Sequence, residues 1–434
     1  MEEAYFQKAL ETMPRRELEA IQLKGLKKTV RTVYDKVPFY RKKLKDLNIH
    51  PDDINSLNDL RRLPFTVKDD LRSNYPFGLS AVPLNEVAEI HASSGTTGTP
   101  TLGLYTLQDL DQWGDMMARC LVMSGMTKND VFQITPTLGM FTGGFGFFYG
   151  ARKVGATIVP ASAGFTKRQI QYMLDFGTTM IAAIVSYLLR IAEVAAEMGV
   201  DLAKDTKVRK GIVGSEMWTP EMGKRICQIY NMDLYDIYGL TELCGPGVGN
   251  DCRIHDGVHL WEDHFIVEVI DPKTGEQLGP EEKGELVFTT IQKQAAPLLR
   301  YRTRDLSFLY DSLVCECGRT HRRMARIQGR VDDMIKVSGV NFWPSQVESV
   351  LMKQPEVGTE YLITITRRGS ADHMIIKVEA KNKIGEDEAK RLAAKLSNEL
   401  REVLIFTPEV IVVGPGELPR VEVGKAKRVV DERT

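Results

Sequence analysis

Apolar and polar positions follow a helical period through the first part of the chain. Five apolar residues fall three to five positions apart there: Leu18, Ile21, Leu26, Val30 and Val33. This spacing places them on one face of a helix. The run Pro38, Phe39 and Tyr40 then interrupts the pattern, as expected where proline ends a helix. Residues 1–85 are therefore predicted to form an amino-terminal helical module.

Short apolar segments that alternate with helical patterns mark residues 86–250. Apolar segments of this length, bounded by turn residues, predict strands. Strands that alternate with helices predict a parallel sheet covered by helices, and ligands of such sheets bind at the carboxyl ends of the strands. The predicted strands span residues 87–90, 132–135, 155–160, 180–185, 211–213 and 234–238.

After residue 250 the pattern becomes typical of β-hairpins. Two apolar segments, Phe265–Ile270 and Gly284–Thr290, predict strands. The turn between them contains Asp271, Pro272, Gly275 and Gly279. We assign residues 251–328 to a β-rich subdomain that completes a large N-terminal domain, residues 1–328.

The remaining residues, 329–434, predict a separate small domain. Their pattern indicates a strand, a helix, two strands, a helix and a final strand near residue 430, with residues 386–403 as the clearest amphipathic helix. About one hundred residues suffice for an independent domain. The predicted fold class is α/β for the large domain, with parallel αβ sheets and a β-rich subdomain, and α+β for the C-terminal domain.

The charge balance and the amino terminus narrow the classes of partner. The 57 basic and 58 acidic residues give a formal net charge of −1, so no overall field favours nucleic acid or an anionic membrane. The chain opens with Glu2 and Glu3 rather than a basic segment before an apolar run, and its longest apolar stretch, near residues 180–189, is too short to cross a bilayer. We therefore expect a cytoplasmic protein with no nucleic-acid and no membrane partner.

Residues 91–101 contain the highest concentration of small hydroxyl and glycine residues in the chain. Such a loop exposes backbone N–H groups and hydroxyls, which favours a polyanion. A Walker A loop is excluded, because no lysine follows the second glycine at the required spacing. An ordinary polar turn is the alternative. The phosphate-binding candidates are Ser93, Ser94, Gly95, Thr96, Thr97 and Gly98.

Four further motifs follow this loop in the chain. Residues 238–242 end a predicted strand with Thr241 and Glu242, a hydroxyl and a carboxylate suited to a phosphate and its Mg²⁺. Residues 301–305 end in Asp305, whose carboxylate can accept hydrogen bonds from ribose hydroxyls or pair with its neighbouring arginines. Residues 329–333 begin the last domain. Lys425 follows Gly424 in its final loop.

In this order and spacing, the motifs resemble those of the adenylate-forming superfamily of acyl-CoA synthetases, luciferases and peptide-synthetase adenylation domains. The resemblance covers essentially the whole chain, and it is closer to the phenylacetate-CoA ligase family. The matching strings are VPFYR at 37–41, SSGTTGTPT at 93–101, FTGG at 141–144, WEDHF at 261–265, YRTRDL at 301–306 and GRVDDMIKVSGVNFWPSQVE at 329–348.

The resemblance implies an aryl, and in particular an arylacetic, acid as substrate, with ATP, Mg²⁺ and coenzyme A. The carboxylate first attacks the α-phosphate of ATP and releases pyrophosphate, and coenzyme A then displaces AMP. The resemblance also implies a role for each motif. The loop that begins at Ser93 binds the β- and γ-phosphates, Thr241 contacts the α-phosphate, and Glu242 binds Mg²⁺. Lys425, with Lys427 as the fallback, bridges the carboxylate and the α-phosphate. Asp305 and Arg330 hold the ribose, and the adenine is held by Gly214, Ser215, Glu216, Tyr238 and Gly239.

The second half of the reaction implies a mobile C-terminal domain. By resemblance, this domain rotates about Asp332 and brings Val337, Ser338 and Gly339 to the path of coenzyme A. The acid pocket is expected at Phe141, Thr142, Gly143, Gly144 and Phe145, where glycines between aromatic residues leave volume for a flat ring. Relatives that adenylate the deazaflavin cofactor F420 supply one alternative function, and a non-catalytic adenylate sensor supplies another. The helical module resembles one through which relatives form homodimers.

Three cysteines and a histidine form a candidate metal set. Cys252, His259, Cys315 and Cys317 could complete a tetrahedral site, and thiolates in a reducing compartment suit structural Zn²⁺ better than a disulfide. His255 competes with His259 for the fourth position. The alternative is a group of free thiols beside a surface histidine.

Overall fold

The computed structural model describes residues 4–93, 99–337, 340–368, 371–420 and 428–433. In these residues the helices are α1 Lys8–Glu11, α2 Arg15–Lys36, α3 Pro38–Asp46, α4 Lys68–Ser73, α5 Leu107–Met123, α6 Thr142–Val154, α7 Thr166–Asp175, α8 Val185–Glu197, α9 Leu202–Asp205, α10 Pro220–Tyr230, α11 Pro344–Leu351 and α12 Glu386–Leu404. Short 3₁₀ helices span Pro51–Asp53, Leu57–Arg62 and Leu84–Glu86. The helical pattern predicted near the amino terminus corresponds to α2 and α3, and Pro38 begins the second of these helices.

The strands lie mostly between residues 89 and 324 and between residues 335 and 431. They are β1 Glu89–Ala92, β2 Leu102–Tyr105, β3 Val131–Ile134, β4 Thr157–Val159, β5 Met180–Ala183, β6 Lys210–Val213, β7 Asp233–Leu240, β8 Gly245–Asp251, β9 Val258–Leu260, β10 Phe265–Ile270, β11 Gly284–Thr290, β12 Tyr301–Ser307, β13 Arg323–Met324, β14 Ile335–Val337, β15 Val340–Phe342, β16 Val357–Arg368, β17 Ala371–Ala380, β18 Glu409–Val413 and β19 Val429–Asp431.

The largest sheet has eight strands in the order β13-β9-β8-β7-β6-β5-β3-β4. Its β4-β3-β5-β6-β7 half is parallel, as the alternation of strands and helices predicts. From β7 onward the pairs are antiparallel. Strands β9 and β13 therefore belong to this mixed sheet rather than to a separate β-rich subdomain, whose own three-stranded sheet has the order β10-β11-β12.

The predicted phosphate loop does not follow a strand of the parallel sheet. Among the described residues, strand β1 pairs with β2 alone, in an antiparallel hairpin in which Ala92 lies opposite Leu102. The loop is thus the connection of this hairpin. The prediction that residues 87–90 form a strand of the parallel sheet was therefore wrong, because a four-residue strand carries no periodicity that distinguishes a hairpin from a parallel neighbour.

The C-terminal residues form a four-stranded sheet, β18-β17-β16-β19, against which α11 and α12 pack. The prediction of strand, helix, two strands, helix and strand is confirmed in order, with two differences. The first strand is a hairpin of three-residue strands, β14 and β15. A further strand, β18, precedes the predicted final strand and pairs in parallel with β17. Both additions are too short for their alternation to be recognised in sequence.

Two hydrophobic cores organise the protein. One lies between α2, α5, α6 and the antiparallel half of the large sheet. The other continues from α8 and α10 of the large domain into α11, β16 and α12 of the C-terminal domain, so apolar side chains of both domains share it. In the part of the chain that the structure describes, no helix has both the length and the apolar character needed to cross a membrane.

Candidate active site

The base of the predicted phosphate loop is hydrogen-bonded directly to the predicted magnesium carboxylate. Thr101, at the end of the loop, donates its hydroxyl hydrogen bond to Glu242 Oε1 at 2.8 Å. The backbone N–H of Thr101 donates to Ser93 Oγ at 3.0 Å, and the Ser93 N–H donates to the Thr101 carbonyl at 2.9 Å. These contacts bring the loop and Glu242 together. Ser94, Gly95, Thr96, Thr97 and Gly98 lie outside the described residues.

Thr241 and Glu242 follow strand β7 and lie buried. The Thr241 hydroxyl is 3.3 Å from the hydroxyl of Thr142, the first residue of α6. The Lys68 ammonium is 3.9 Å from Glu242 Oε1. Carboxylate and hydroxyl oxygens are the donors that Mg²⁺ accepts in proteins, so this set fits the ion. Thr101 is the last residue of the SSGTTGTPT motif, whereas Lys68 lies outside every motif and is added to this group by the structure alone.

Asp305 is held between a tyrosine and an arginine. Tyr238 donates its hydroxyl hydrogen bond to Asp305 Oδ2 at 2.8 Å. Arg330 donates to Asp305 Oδ1, also at 2.8 Å. Burial, with the nearby Asp305 charge, raises the pKa of Tyr238 well above its usual value, so the phenol stays a donor. The predicted ribose residues therefore form one hydrogen-bonded group, and the neighbouring arginines pair elsewhere: Arg302 and Arg304 both face Glu285.

The predicted adenine turn, residues 214–216, follows β6, and its first residue must be a glycine. A Cβ at Gly214 would lie 2.4 Å from the Ile237 carbonyl oxygen, so only glycine fits there. Ser215 has a φ of 69°. Glu216 accepts hydrogen bonds from the Ser186 N–H at 2.9 Å and hydroxyl at 2.8 Å, which fixes its carboxylate.

A cavity of about 480 Å³ opens beside this turn, between the large and C-terminal domains. Ser215, Glu216 and Arg330 line it from the predicted nucleotide site, and Glu348 and Arg428 line it from the C-terminal domain. Of the residues predicted for adenine and ribose, Ser215, Glu216 and Arg330 thus face one space that both domains line.

Asp236 is a largely buried carboxyl group, 16% exposed, next to the predicted adenine turn, and none of the motifs includes it. It lies on β7 opposite Val213, the residue before Gly214. Burial raises its pKa to about 7, although the Arg326 guanidinium 3.7 Å away acts in the opposite direction. An acid group between the apolar residues Tyr235 and Ile237 was the available signal, since buried carboxyls require a specific reason.

The glycines of the predicted acid pocket serve close packing. Phe141 precedes α6, and Thr142, Gly143, Gly144 and Phe145 form its first turn. A Cβ at Gly144 would lie 2.7 Å from the Thr137 carbonyl oxygen, and one at Gly143 would lie 2.8 Å from the Phe141 ring. The expectation that these glycines leave volume was therefore wrong: they let the helix approach the 136–138 segment and the Phe141 ring.

The aromatic surroundings of this segment include a histidine that sequence reasoning passed over. The His91 ring lies 5.4 Å from the Phe145 ring and 5.5 Å from the Tyr105 ring. Its Nδ1 is 3.2 Å from the Met140 carbonyl oxygen and its Nε2 is 3.1 Å from Glu89. These contacts fix the His91 side chain, which belongs to β1, against Met140 and the first turn of α6, beside the base of the predicted phosphate loop.

The segment that joins the two domains is anchored by Arg330. Its guanidinium contacts Asp332 at 3.2 Å and Asp333 at 3.8 Å in addition to Asp305. Asp332 is more than half exposed. Val337 is buried in β14. Ser338, Gly339, Lys425 and the fallback Lys427 lie outside the described residues.

The candidate metal residues meet in space. The ligand atoms of Cys252, His259, Cys315 and Cys317 all lie within 4.8 Å of one another, and all four residues are buried. The Cys252 and Cys315 sulfurs are 3.7 Å apart, far beyond a disulfide bond. A tetrahedron with zinc–sulfur bonds of about 2.3 Å has an edge of about 3.8 Å. The spacing of these sulfurs therefore fits zinc.

His259, and not His255, completes this set. His259 Nε2 is 3.4 Å from the Cys317 sulfur, and its Nδ1 is 3.3 Å from the His321 carbonyl oxygen. A hydrogen bond from Nδ1 to a carbonyl leaves the Nε2 lone pair for a metal. His255 faces Asp251 at 3.1 Å. The contact with Cys252 lowers the pKa of the Cys315 thiol, which favours the thiolate that a metal requires.

Comparison with protein families matches nearly the whole chain. The family described as "AMP-binding enzyme" matches residues 10–292, and "AMP-binding enzyme C-terminal domain" matches residues 339–433. The phenylacetate-coenzyme A ligase of Aromatoleum evansii is 45% identical over 422 residues, covering 96% of this chain and 95% of that protein. The phenylacetate-coenzyme A ligase of Escherichia coli (strain K12) is 42% identical over 429 residues, covering 98% and 97%.

Solved structures of a 2-hydroxyisobutyryl-CoA ligase match the fold in two different states. The postadenylation state, in complex with R3-HIB-AMP, has a TM-score of 0.90 at 26% identity and covers 98% of this chain and 92% of that one. The thioesterification state, in complex with 2-HIB-AMP and CoA, has a TM-score of 0.72 at 27% identity, covering 99% and 92%. The arrangement described here is thus closer to the postadenylation state.

Proposed function

Because the chain belongs to the AMP-binding enzyme family, and within it to the phenylacetate-coenzyme A ligases, we propose that its acid substrate is an arylacetate, with phenylacetate as the first candidate. The enzyme joins a carboxylic acid to coenzyme A in two steps. ATP first converts the acid to an acyl-adenylate with release of pyrophosphate, and coenzyme A then forms the thioester with release of AMP. Its substrates are ATP, coenzyme A and the acid.

One contact carries the proposal for the first step. The hydroxyls of Thr142 and Thr241 are 3.3 Å apart. Helix α6, whose first turn belongs to the predicted acid pocket, therefore contacts the residue proposed to bind the α-phosphate. An acid bound beside Phe141 and Phe145 would have its carboxylate close to that phosphate. Proximity of this kind supplies a large part of the rate of a two-substrate reaction. The residues Thr241, Glu242, Asp305 and Arg330 would hold the nucleotide against it.

Product analysis over a panel of acids tests the substrate. Acid-dependent release of pyrophosphate from ATP is measured with phenylacetate, indoleacetate, benzoate and hydroxylated aryl acids, with and without coenzyme A, and products are identified by mass. We expect phenylacetyl-CoA at the highest kcat/KM, since the relatives that are 45% and 42% identical to this chain are phenylacetate-coenzyme A ligases. Adenylylation of F420 without a thioester would contradict the proposal. Binding of AMP without any pyrophosphate release would make the protein a sensor.

Mg²⁺ would be held at Glu242 and would shield the charge of the phosphates as the carboxylate approaches. Glu242→Gln is expected to lower adenylation about tenfold and to raise the Mg²⁺ concentration needed for half-maximal rate, because the ion loses a charged ligand. Glutamine still accepts the hydrogen bond that Thr101 donates, so the loop base is preserved. The measurement is pyrophosphate exchange against Mg²⁺ concentration. Glu86→Gln, an exposed substitution, is the control, and an unchanged Mg²⁺ dependence in Glu242→Gln would remove the assignment.

We propose that residues 1–328 and 329–434 alternate between two arrangements, with Asp332 as the hinge. Rotation would withdraw Lys425 after adenylation and bring Val337, Ser338 and Gly339 to coenzyme A. The support is the relation to the 2-hydroxyisobutyryl-CoA ligase, whose two states match this chain to different degrees. The exposed position of Asp332 is compatible with a hinge.

We also propose one structural Zn²⁺ at Cys252, His259, Cys315 and Cys317, where the ion would bind with four protein ligands and no open position for catalysis.

A homodimer through the amino-terminal helical module is a further proposal. The module exposes apolar side chains that a second copy could cover, among them Leu47, Tyr75 and Phe77. Light scattering during size-exclusion chromatography measures this state directly.

A further inference from the structure

Arg225 joins the two domains through an unusual set of contacts. It lies on α10 of the large domain, and its guanidinium donates to four backbone carbonyls of the C-terminal domain. The acceptors are Met352 at 2.9 Å, Gln354 at 2.7 Å, Val357 at 2.8 Å and Gly358 at 3.2 Å. We propose that Arg225 is a positioning residue that latches the C-terminal domain in the arrangement used for adenylation.

The acceptors explain why this contact depends on domain orientation. Met352 caps the C-terminal end of α11, and Val357 begins β16. The last carbonyls of a helix lack partners within the helix and carry partial negative charge, so a cation there is favourable. Four acceptors in one short connection require the guanidinium at a single place. Rotation of the domain would remove all four together.

Every hydrogen bond that the Arg225 guanidinium makes among the described residues crosses the domain boundary. Burial lowers the pKa of Arg225, so its charge depends on these carbonyls for compensation. Arg420 differs in this respect. It pairs with Glu193 of the large domain at 2.9 Å and with Glu379 of its own domain at 2.7 Å, so it would keep one partner after rotation.

Glu348 reinforces the same interface from α11. Its Oε1 accepts from the Thr219 N–H at 3.1 Å, at the N-terminus of α10, and its Oε2 accepts from the Tyr361 hydroxyl at 3.0 Å. Helices α10 and α11 are therefore tied at two points, Glu348 at the start of α10 and Arg225 in its middle. A residue shifts a conformational equilibrium when it makes more contacts in one state than in the other. Arg225 would lose four hydrogen bonds on rotation, whereas Glu348 would lose one and keep its bond with Tyr361.

The inference rests on the proposed alternation of domains and predicts a selective defect. In Arg225→Ala, we expect acid-dependent ATP–pyrophosphate exchange to fall about fivefold. Thioester formation from preformed aryl-adenylate and coenzyme A should stay within about twofold of the wild type or rise, because that step does not use the latch. Arg225→Lys should recover little, since an ammonium cannot span four carbonyls. Lys224→Ala, the exposed neighbour on the same helix, is the matched control.

Two results would overturn the latch. One is an unchanged exchange rate in Arg225→Ala, and the other is an equal loss in both half-reactions together with a lowered Tm, which would indicate packing alone. Small-angle X-ray scattering of the unliganded proteins gives a readout that needs no activity: Arg225→Ala must show a larger radius of gyration than Lys224→Ala. A wild type that forms no thioester would instead refute the proposed function, and the scattering comparison would still decide the latch.

Discussion

Lys425→Ala is expected to lower acid-dependent ATP–pyrophosphate exchange by at least about 100-fold, the scale on which removal of one stabilising group of a charged transition state acts. The acid carboxylate and the α-phosphate are both anionic, and they must approach within bonding distance. In the proposed mechanism, Lys425 would supply the cation between them. Glu242 would hold Mg²⁺ at the phosphates, so it would not replace that cation at the carboxylate.

The same variant should convert preformed aryl-adenylate and coenzyme A to thioester at nearly the wild-type rate, because the proposed rotation withdraws Lys425 before this step. Lys427→Ala is the control in the same loop and should retain both half-reactions. Loss of thioester formation in parallel with exchange would contradict the assignment. A strong exchange defect in Lys427→Ala with normal Lys425→Ala would transfer the role to the fallback residue.

The residues proposed for the nucleotide were selected from motifs that are each local in sequence. Tyr238, Thr241 and Glu242 lie within five positions, so one strand end presents them together. What joins the motifs could not be predicted in the same way. The hydrogen bond from Thr101 to Glu242 spans 141 positions, and neither residue type reveals its partner.

The element types were predictable where apolar periods were long and were missed where strands were short. The parallel strands β5, β6 and β7 agree with the predicted segments within a few residues. The β1–β2 hairpin was misjudged because its four-residue strands satisfy more than one topology. Asp236 was overlooked for a related reason: its importance comes from burial beside the adenine turn, which only the packed sheet creates.

Glycine was the residue type whose role the pattern described least well. Gly143 and Gly144 were interpreted as space for a substrate ring, whereas a side chain at either would collide with the chain itself. The same absence of a Cβ permits a cavity or a close approach, and only the neighbouring backbone decides between them. We therefore propose that the aromatic side chains Phe141, Phe145 and His91, rather than the glycines, line the acid pocket.

The zinc proposal predicts the largest effect on stability. Cys252→Ser is expected to lower the zinc content from one equivalent to near zero and the Tm by on the order of 10 °C, since loss of a metal site belongs to the few substitutions that cost about 4 kcal/mol or more. Metal content is measured by inductively coupled plasma mass spectrometry and Tm by calorimetry. Cys227→Ser, a half-buried thiol outside the cluster, is the control and should change neither.

The effect should spread from the cluster to the amino terminus, because the two are bonded together. Tyr5 donates its hydroxyl hydrogen bond to the Cys317 carbonyl at 2.7 Å. Two residues after Cys317, Arg319 forms an ion pair with Glu11, and both side chains are fully buried. Without the metal, the Cys315–Cys317 turn loses its anchor, and limited proteolysis should cut residues 4–13 sooner in Cys252→Ser than in Cys227→Ser. Purified wild type without zinc, with all six cysteines reactive to a thiol reagent, would refute the site.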